Sequence, residues 1–317
     1  MILLYLLWVA RVAIVVVFAG LLAALALSSI CTFVELRTHL RRRWSLPIVL
    51  VTIICTLSLT VWLRGPAIAD QIDYLQTSLP QAAKAFVAQL RGQEWGRWLL
   101  NGFGTDVPRL MDILPRITGV LSGTLGFVGG IAIVVFLGIV VAAEPHTYVC
   151  GFANLFPSAT QKYVIEIIEG IGRVLRTWLM ARLASMFAVG VMVSIGLWAL
   201  HVPMAGTLGL LAALLAFIPN LGPVLSAIPP ILLAFTVSPR HALFVIVLFS
   251  AVHAMEGLLV TPLAERTMVR LPPGLTLSVQ LLLGFVTGAL GVALAAPLTI
   301  VAIELFRTVY REKVLAS

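Results

Sequence analysis

Residues 183–239 read LASMFAVGVMVSIGLWALHVPMAGTLGLLAALLAFIPNLGPVLSAIPPILLAFTVSP, 57 residues without one Asp, Glu, Lys or Arg. A helix crosses the hydrocarbon core with about 20 apolar residues, so this run is too long for one crossing. It also carries proline and glycine where they break a helix. Residues 183–200 make one full span. After His201 and Pro203, two arms, 204–218 and 224–237, flank Pro219-Asn220-Leu221-Gly222-Pro223. At 1.5 Å per residue each arm reaches only about 21 to 23 Å, short of the roughly 30 Å core. The run therefore predicts a span followed by a re-entrant or broken helical hairpin.

The rest of the chain agrees in kind. Of its 317 residues, 61% are hydrophobic and 11% charged, against about 25% charged in a typical soluble domain. Further charge-free blocks lie at 12–34, 45–63, 117–143 and 271–303. No basic stretch precedes the apolar N-terminus, which argues against a signal peptide. The fold class is an all-α polytopic membrane protein with about 7–8 transmembrane segments, including two re-entrant or broken hairpins. An amphipathic extracytoplasmic helical segment completes it.

The net charge of +8, from 21 Lys and Arg against 13 Asp and Glu, fits a membrane surface, not nucleic acid. Arg37, Arg41, Arg42 and Arg43 precede one apolar block, and Arg307, Arg311 and Lys313 follow the last, as the positive-inside rule expects. Cys31, Cys55 and Cys150 match no zinc or disulfide spacing and read as packing residues. With the first basic cluster in the cytoplasm, the expected layout is N-terminal spans at 1–63, extracytoplasmic amphipathic helices at 64–116, and a returning span at 117–143. A cytoplasmic amphipathic helix at 144–182, a transport core at 183–305 and a cytoplasmic tail at 306–317 follow. The outer segment is expected to break at Pro80, at Gly102 to Gly104 and at Pro108, with Trp95 and Trp98 at the interface. Ser158 and Gln161 fit a capping box. Behind it the apolar face of Ile168, Ile171, Leu175 and Trp178 is expected to lie on the bilayer or against an oligomer partner.

Block 271–303 has its own interruption at Gly288-Ala289-Leu290-Gly291. A hairpin there returns Arg307 to the cytoplasm. The core then divides into two units of opposite topology, 183–239 and 241–305. Pro203 stands nineteen residues before Gly222 and Pro272 nineteen before Gly291. Inverted repeats with paired broken helices are the pattern of secondary transporters, whose solute site lies near the midplane. Backbone freed from a helix inside lipid needs protein, water or ligand as partner. Pro219, Asn220, Gly222 and Pro223 at one tip, and Thr287, Gly288, Gly291 and Pro297 at the other, are therefore pathway candidates, together with Thr261 and Pro262. Among ionisable groups Glu256 lies deepest, with His253 one turn away, and the pair is the candidate for cation or proton coupling. His253 reads otherwise as a packed or hydrogen-bonded residue, since no second ligand stands at metal spacing.

The run Phe217-Ile218-Pro219-Asn220-Leu221-Gly222-Pro223, continued by Ala227-Ile228-Pro229, resembles the hallmark of the autoinducer-2 exporter (AI-2E) family of bacterial membrane proteins. Glu256-Gly257 with Thr261-Pro262, then Gly288-x-x-Gly291 with Ala295-Ala296-Pro297, follow in that family's order. The resemblance is best over about residues 176–307. It implies a multi-pass inner-membrane transporter with a cytoplasmic C-terminus, associated in named members with autoinducer-2 export and in some relatives with sodium/proton antiport. There are two departures. The family commonly carries Gln near His253 and Ala254, and it has a further crossing near the N-terminus, where only ten residues precede Arg11.

No phosphate-binding glycine loop, His-Glu-x-x-His helix or Gly-x-Ser-x-Gly elbow is present, so neither an enzyme nor an ATP-driven pump is expected, and no cofactor or metal. The leading expectation is alternating-access transport of a small polar solute. The alternatives are a sodium/proton antiporter using Glu256 and a non-transporting membrane scaffold. Expected partners are membrane lipid, a small polar solute or cation and, as an open alternative, further copies of the chain, but not nucleic acid.

Overall fold

The computed structural model describes residues 2–38, 42–92, 94, 97, 125–265 and 272–315, and every described element is helical. In chain order these are α1 (Ile2–Thr38), α2 (Arg42–Arg91), α3 (Leu125–Ala143), α4 (Pro145–Ala153) and α5 (Ser158–Ala199). Then come α6 (Ala205–Leu215), α7 (Leu221–Val237), α8 (Pro239–Glu265), α9 (Pro273–Thr287) and α10 (Ala289–Leu315). Five of them, α1, α2, α5, α8 and α10, contain stretches long and apolar enough to cross a membrane. The apolar pair α3 and α4 bends by 87° at Glu144 and would count as a sixth.

Side chains that water would drive inward are turned outward here. Phe187, Trp198, Leu258 and Phe285 are 75%, 74%, 74% and 88% exposed, whereas Ser45, Ser185 and Gln280 are buried. Lipid tails are as apolar as leucine, so helices in a bilayer associate through close packing and hydrogen bonds. The α1/α3 contact illustrates this: a Cβ added at Gly20 would come within 2.7 Å of Leu137, and one at Gly138 within 2.9 Å of Ala23.

Two apolar clusters divide α5 between them. One gathers Val189, Val193 and Leu197 of α5 with Leu75 and Leu79 of α2, Leu208 and Ala212 of α6, Leu233 of α7 and Val245 and Phe249 of α8. The other gathers Leu175, Trp178 and Leu179 of α5 with Val15 and Leu22 of α1 and Leu294, Ala296 and Ile300 of α10. Of the expected apolar face of α5, Ile171, Leu175 and Trp178 pack within the chain, and Ile168 lies outside both clusters. The expected capping box does not form, because Pro157 is the N-cap and Ser158 already lies inside the helix. Gln161 Nε2 instead donates to the Phe156 carbonyl at 3.2 Å.

Nor does Pro80 break its segment: α2 runs through Pro47, Pro66 and Pro80 as one helix of 50 residues, about 75 Å at 1.5 Å per residue. A proline inside a helix removes one hydrogen bond and crowds the preceding turn. Tertiary contacts offset that cost: Leu75, Leu79, Ala82 and Ala83 are buried in the first cluster, and Phe86 meets Phe235 of α7 edge-on, centroids 4.7 Å apart. The expected breaks at Gly102 to Gly104 and Pro108, and Trp95 and Trp98, lie outside the described residues.

Both interrupted blocks fold as helix pairs. The first has arms of 11 and 17 residues, α6 and α7, about 16 and 26 Å long. The second joins α9, 15 residues, to the longer α10 through Gly288 at φ 70°. Gly222 and Gly291 do the same work in the two pairs. A Cβ at Gly222 would overlap the Leu215 carbonyl oxygen, and one at Gly291 would overlap that of Leu283.

Candidate functional site

The end of α6 poses a bonding problem that decides the site. A helix leaves its last carbonyls without intrahelical partners, and within a membrane these have no bulk water to turn to. Local turns satisfy several: Phe217 N–H donates to Leu214 O at 3.2 Å, Ile218 N–H to Leu215 O at 2.9 Å, and Gly222 N–H to Ile218 O at 3.0 Å. Asn220 makes the reversal at φ 63° and ψ −47°, the centre of a γ-turn closed by Leu221 N–H on the Pro219 carbonyl at 2.7 Å, a rare and strained backbone conformation. Its side chain is exposed and makes no capping bond.

Two side chains from outside the pair reach the tip. Arg182 of α5 donates from Nε to the Phe217 carbonyl at 3.3 Å, and Gln280 of α9 donates from Nε2 to the Pro219 carbonyl at 2.9 Å. The Phe217 ring packs edge-on against Trp178, centroids 5.9 Å apart. The tip is therefore fastened to α5 and α9 by both backbone and side chain.

Arg182 also donates from Nη1 to Glu256 Oε1 at 3.2 Å. Ser185 Oγ donates to the same oxygen, and His253 Nδ1 lies 3.0 Å from Glu256 Oε2. The Arg182 and Glu256 side chains are only 16% and 12% exposed. Both stand on helices that can cross the membrane, and both lie seventeen residues from the helix end that faces the other's: Ala199 for α5, Pro239 for α8. Along α5, Arg182 and Ser185 fall between the two apolar clusters, so the polar network occupies the seam between two dry cores. The Arg182 guanidinium balances the Glu256 carboxylate directly. His253 Nε2 and Gln280 Oε1 are buried with no hydrogen-bond partner among the described residues.

The structure thus brings His253 and Glu256 into one bonded network with the Phe217 carbonyl, while the Pro219 carbonyl is bonded separately, by Gln280. Gly222 and Pro223 sit in the first turn of α7, where Gly222 permits the close approach of its own hairpin; Ser226 Oγ donates to Pro223 O at 3.1 Å. Thr261 and Pro262 continue α8 toward its end. In the second pair, Thr287 Oγ1 donates to Leu283 O at 3.0 Å, Gly288 makes the turn, Gly291 packs against Leu283, and Pro297 is buried in α10. None of these four is hydrogen-bonded to the Glu256 network among the described residues.

Three residues at the site were missed from sequence: Arg182 and Ser185 of the network, and Gln280, which bonds the tip beside it. Arg182 borders the charge-free run and reads as its cytoplasmic edge, until the 42-residue α5 carries it inward. Ser185 has no distinguishing pattern. Gln280 did leave a signal, being the only amide side chain in block 271–303.

The family described as AI-2E family transporter matches residues 1–311. "Putative transport protein YueF" of Bacillus subtilis (strain 168) is 27% identical over 265 residues, which cover 78% of this chain and 71% of that protein. "Putative transport protein YrrI" of the same organism is 26% identical over 147 residues, 46% of this chain and 42% of that protein. This chain is a multi-pass membrane protein belonging to the AI-2E family of transporters.

Proposed function

We propose that the protein carries a small polar solute of the autoinducer-2 class across the bacterial inner membrane by alternating access. The α6–α7 tip and the Arg182–Glu256 network form the centre of the pathway. The observation that supports this most is the attachment of a helix break to a buried, charge-compensated polar cluster at the seam of two apolar cores. Broken helices in membranes are tolerated where protein or a water-filled cavity meets the freed backbone, and paired breaks in inverted units mark solute sites. In this reading units 183–239 and 241–305 enter from opposite sides, and α6–α7 and α9–α10 are re-entrant. The C-terminus is cytoplasmic, drawn there by Arg307, Arg311 and Lys313. Energy comes from a gradient of the solute or of an ion.

Sodium/proton antiport at Glu256 is the second reading, favoured by the His253 contact. It is the weaker one, because a cation must displace Arg182 from a carboxylate that already accepts from Ser185 as well. Proteoliposomes loaded with radiolabelled autoinducer-2 and a pH-sensitive dye separate the two. Solute efflux without sodium-dependent proton movement supports solute export. Sodium-dependent proton movement abolished by Glu256→Gln supports antiport instead. Absence of flux under every gradient leaves a membrane scaffold.

A further inference from the structure

Gln280 stands out among the buried polar groups. It is 0% exposed, and its neighbour one turn back, Thr276, is 3% exposed. The two give α9 a polar inner face, whereas Leu277, Leu281, Leu282 and Phe285 are exposed. Thr276 spends its hydroxyl within its own helix, on the Pro272 carbonyl at 3.3 Å. Gln280 instead reaches across 61 positions of sequence to Pro219 O. The orientation of its amide is fixed by chemistry, because only the NH2 group can meet a carbonyl oxygen.

This bond has three properties that a fixed structural strut would not need. The Pro219 carbonyl already accepts from Leu221 N–H at 2.7 Å, so the tip keeps its own bonding when Gln280 lets go. α9 packs on α10 and touches α1, with no broad contact to α6 or α7 among the described residues. Breaking the bond therefore detaches the tip from α9 without unpacking a core. The bond is also neutral, and a neutral hydrogen bond breaks at far smaller cost than the Arg182–Glu256 pair beside it. Gln280 Oε1 is left without a partner, and burying half an amide unsatisfied is a cost that Leu or Met at this position would avoid.

We propose that Gln280 is the latch of the pathway: its amide holds the α6–α7 tip to α9 in the closed state, and releases Pro219 each time the tip moves away from α9. The proposal rests on the carrier reading above and makes Gln280 a positioning residue, acting through the tip.

The test uses the full chain in liposomes and has two readouts. The first is hydrogen exchange at residues 217–222 in Gln280→Met, which fills the space but cannot donate; Gln280→Glu is the second variant, since a carboxylate repels the carbonyl. Exchange at the tip is expected to rise roughly tenfold in both, the size of effect one hydrogen bond commands, with α5 and α8 unchanged. The second readout is flux of radiolabelled autoinducer-2 in the pair Ile218→Cys with Leu283→Cys, which flank the contact in sequence and leave Pro219 and Gln280 in place, with Cys31, Cys55 and Cys150 replaced by Ala. A bis-methanethiosulfonate, which joins the two thiols through disulfides and releases sulfinate, is expected to stop flux, and reductant, by cleaving those disulfides, to restore it. Unchanged exchange at the tip in both variants overturns the latch, as does undiminished flux through the cross-linked protein, which would make the contact a fixed strut. A parent protein without flux refutes the carrier reading alone, and tip exchange then still decides whether Gln280 restrains the hairpin.

Discussion

Arg182 and Glu256, 74 positions apart in sequence, meet at 3.2 Å in the seam between the two apolar clusters of α5. Each is mostly withdrawn from solvent, so each depends on the other for charge compensation. Removing one member of such a pair strands the other, typically at about 3–5 kcal/mol. Arg182→Gln and Glu256→Gln are each expected to lower unfolding free energy in detergent by roughly 3 kcal/mol. The double variant should fall well short of their sum. Additive losses would mean that the pair is not coupled.

Gly222, Gly291 and Gly257 offer a controlled contrast, since all three lie in helices. At the first two a methyl group collides with a backbone carbonyl of the same hairpin, which cannot rotate away. Gly222→Ala and Gly291→Ala are expected to destabilise by about 1–3 kcal/mol or more, the usual range for overpacking. At Gly257 nothing stands within 4 Å of the added carbon. Gly257→Ala should therefore stabilise by about 0.5–1 kcal/mol through helix propensity alone. Thermal unfolding of the three variants side by side checks the order.

Arg176 ties α5 to α1 without an acidic partner among the described residues. Nε donates to Ser29 Oγ at 2.8 Å, and Nη2 donates to Ser28 O at 3.1 Å and to Thr32 Oγ1 at 2.7 Å. This forked geometry belongs to a guanidinium, which an ammonium cannot reproduce. Arg176→Lys should recover little of the roughly 1.5–3 kcal/mol lost in Arg176→Met. Limited proteolysis near the α1–α2 connection provides the readout, and full rescue by Lys would contradict it.

Asn220 and Ala289 are both exposed and mark the two hairpin tips. If the units enter from opposite sides, single cysteines at these positions in a cysteine-free background should react with membrane-impermeant reagents from opposite faces of the membrane. Labelling of both from one face would refute inversion.

The transmembrane class, the helix break at Pro219 to Pro223 and the second break at Gly288 were all legible in the sequence. Each follows from local chemistry: apolar run length against bilayer thickness, proline without an N–H, and glycine tolerant of positive φ. Glu256 was legible too, as a carboxylate deep in an apolar helix. Local rules failed where tertiary contact outweighed them. Pro80 is carried through α2 by packing against α7, and the amphipathic stretch before Leu183 continues as one helix whose Ile171, Leu175 and Trp178 pack with α1 and α10.

By itself, then, the amino-acid order determined which segments are helical, which are too short to cross, and where the chain must turn. These are properties of a few neighbouring residues in a known solvent. Only the tertiary structure decided that Arg182, Ser185, His253, Glu256 and Gln280 converge on the turn at Phe217 to Asn220. The reason is physical: the carbonyls at a helix break accept from whatever donors reach them, and which donors do so depends on how distant helices pack, not on their spacing along the chain.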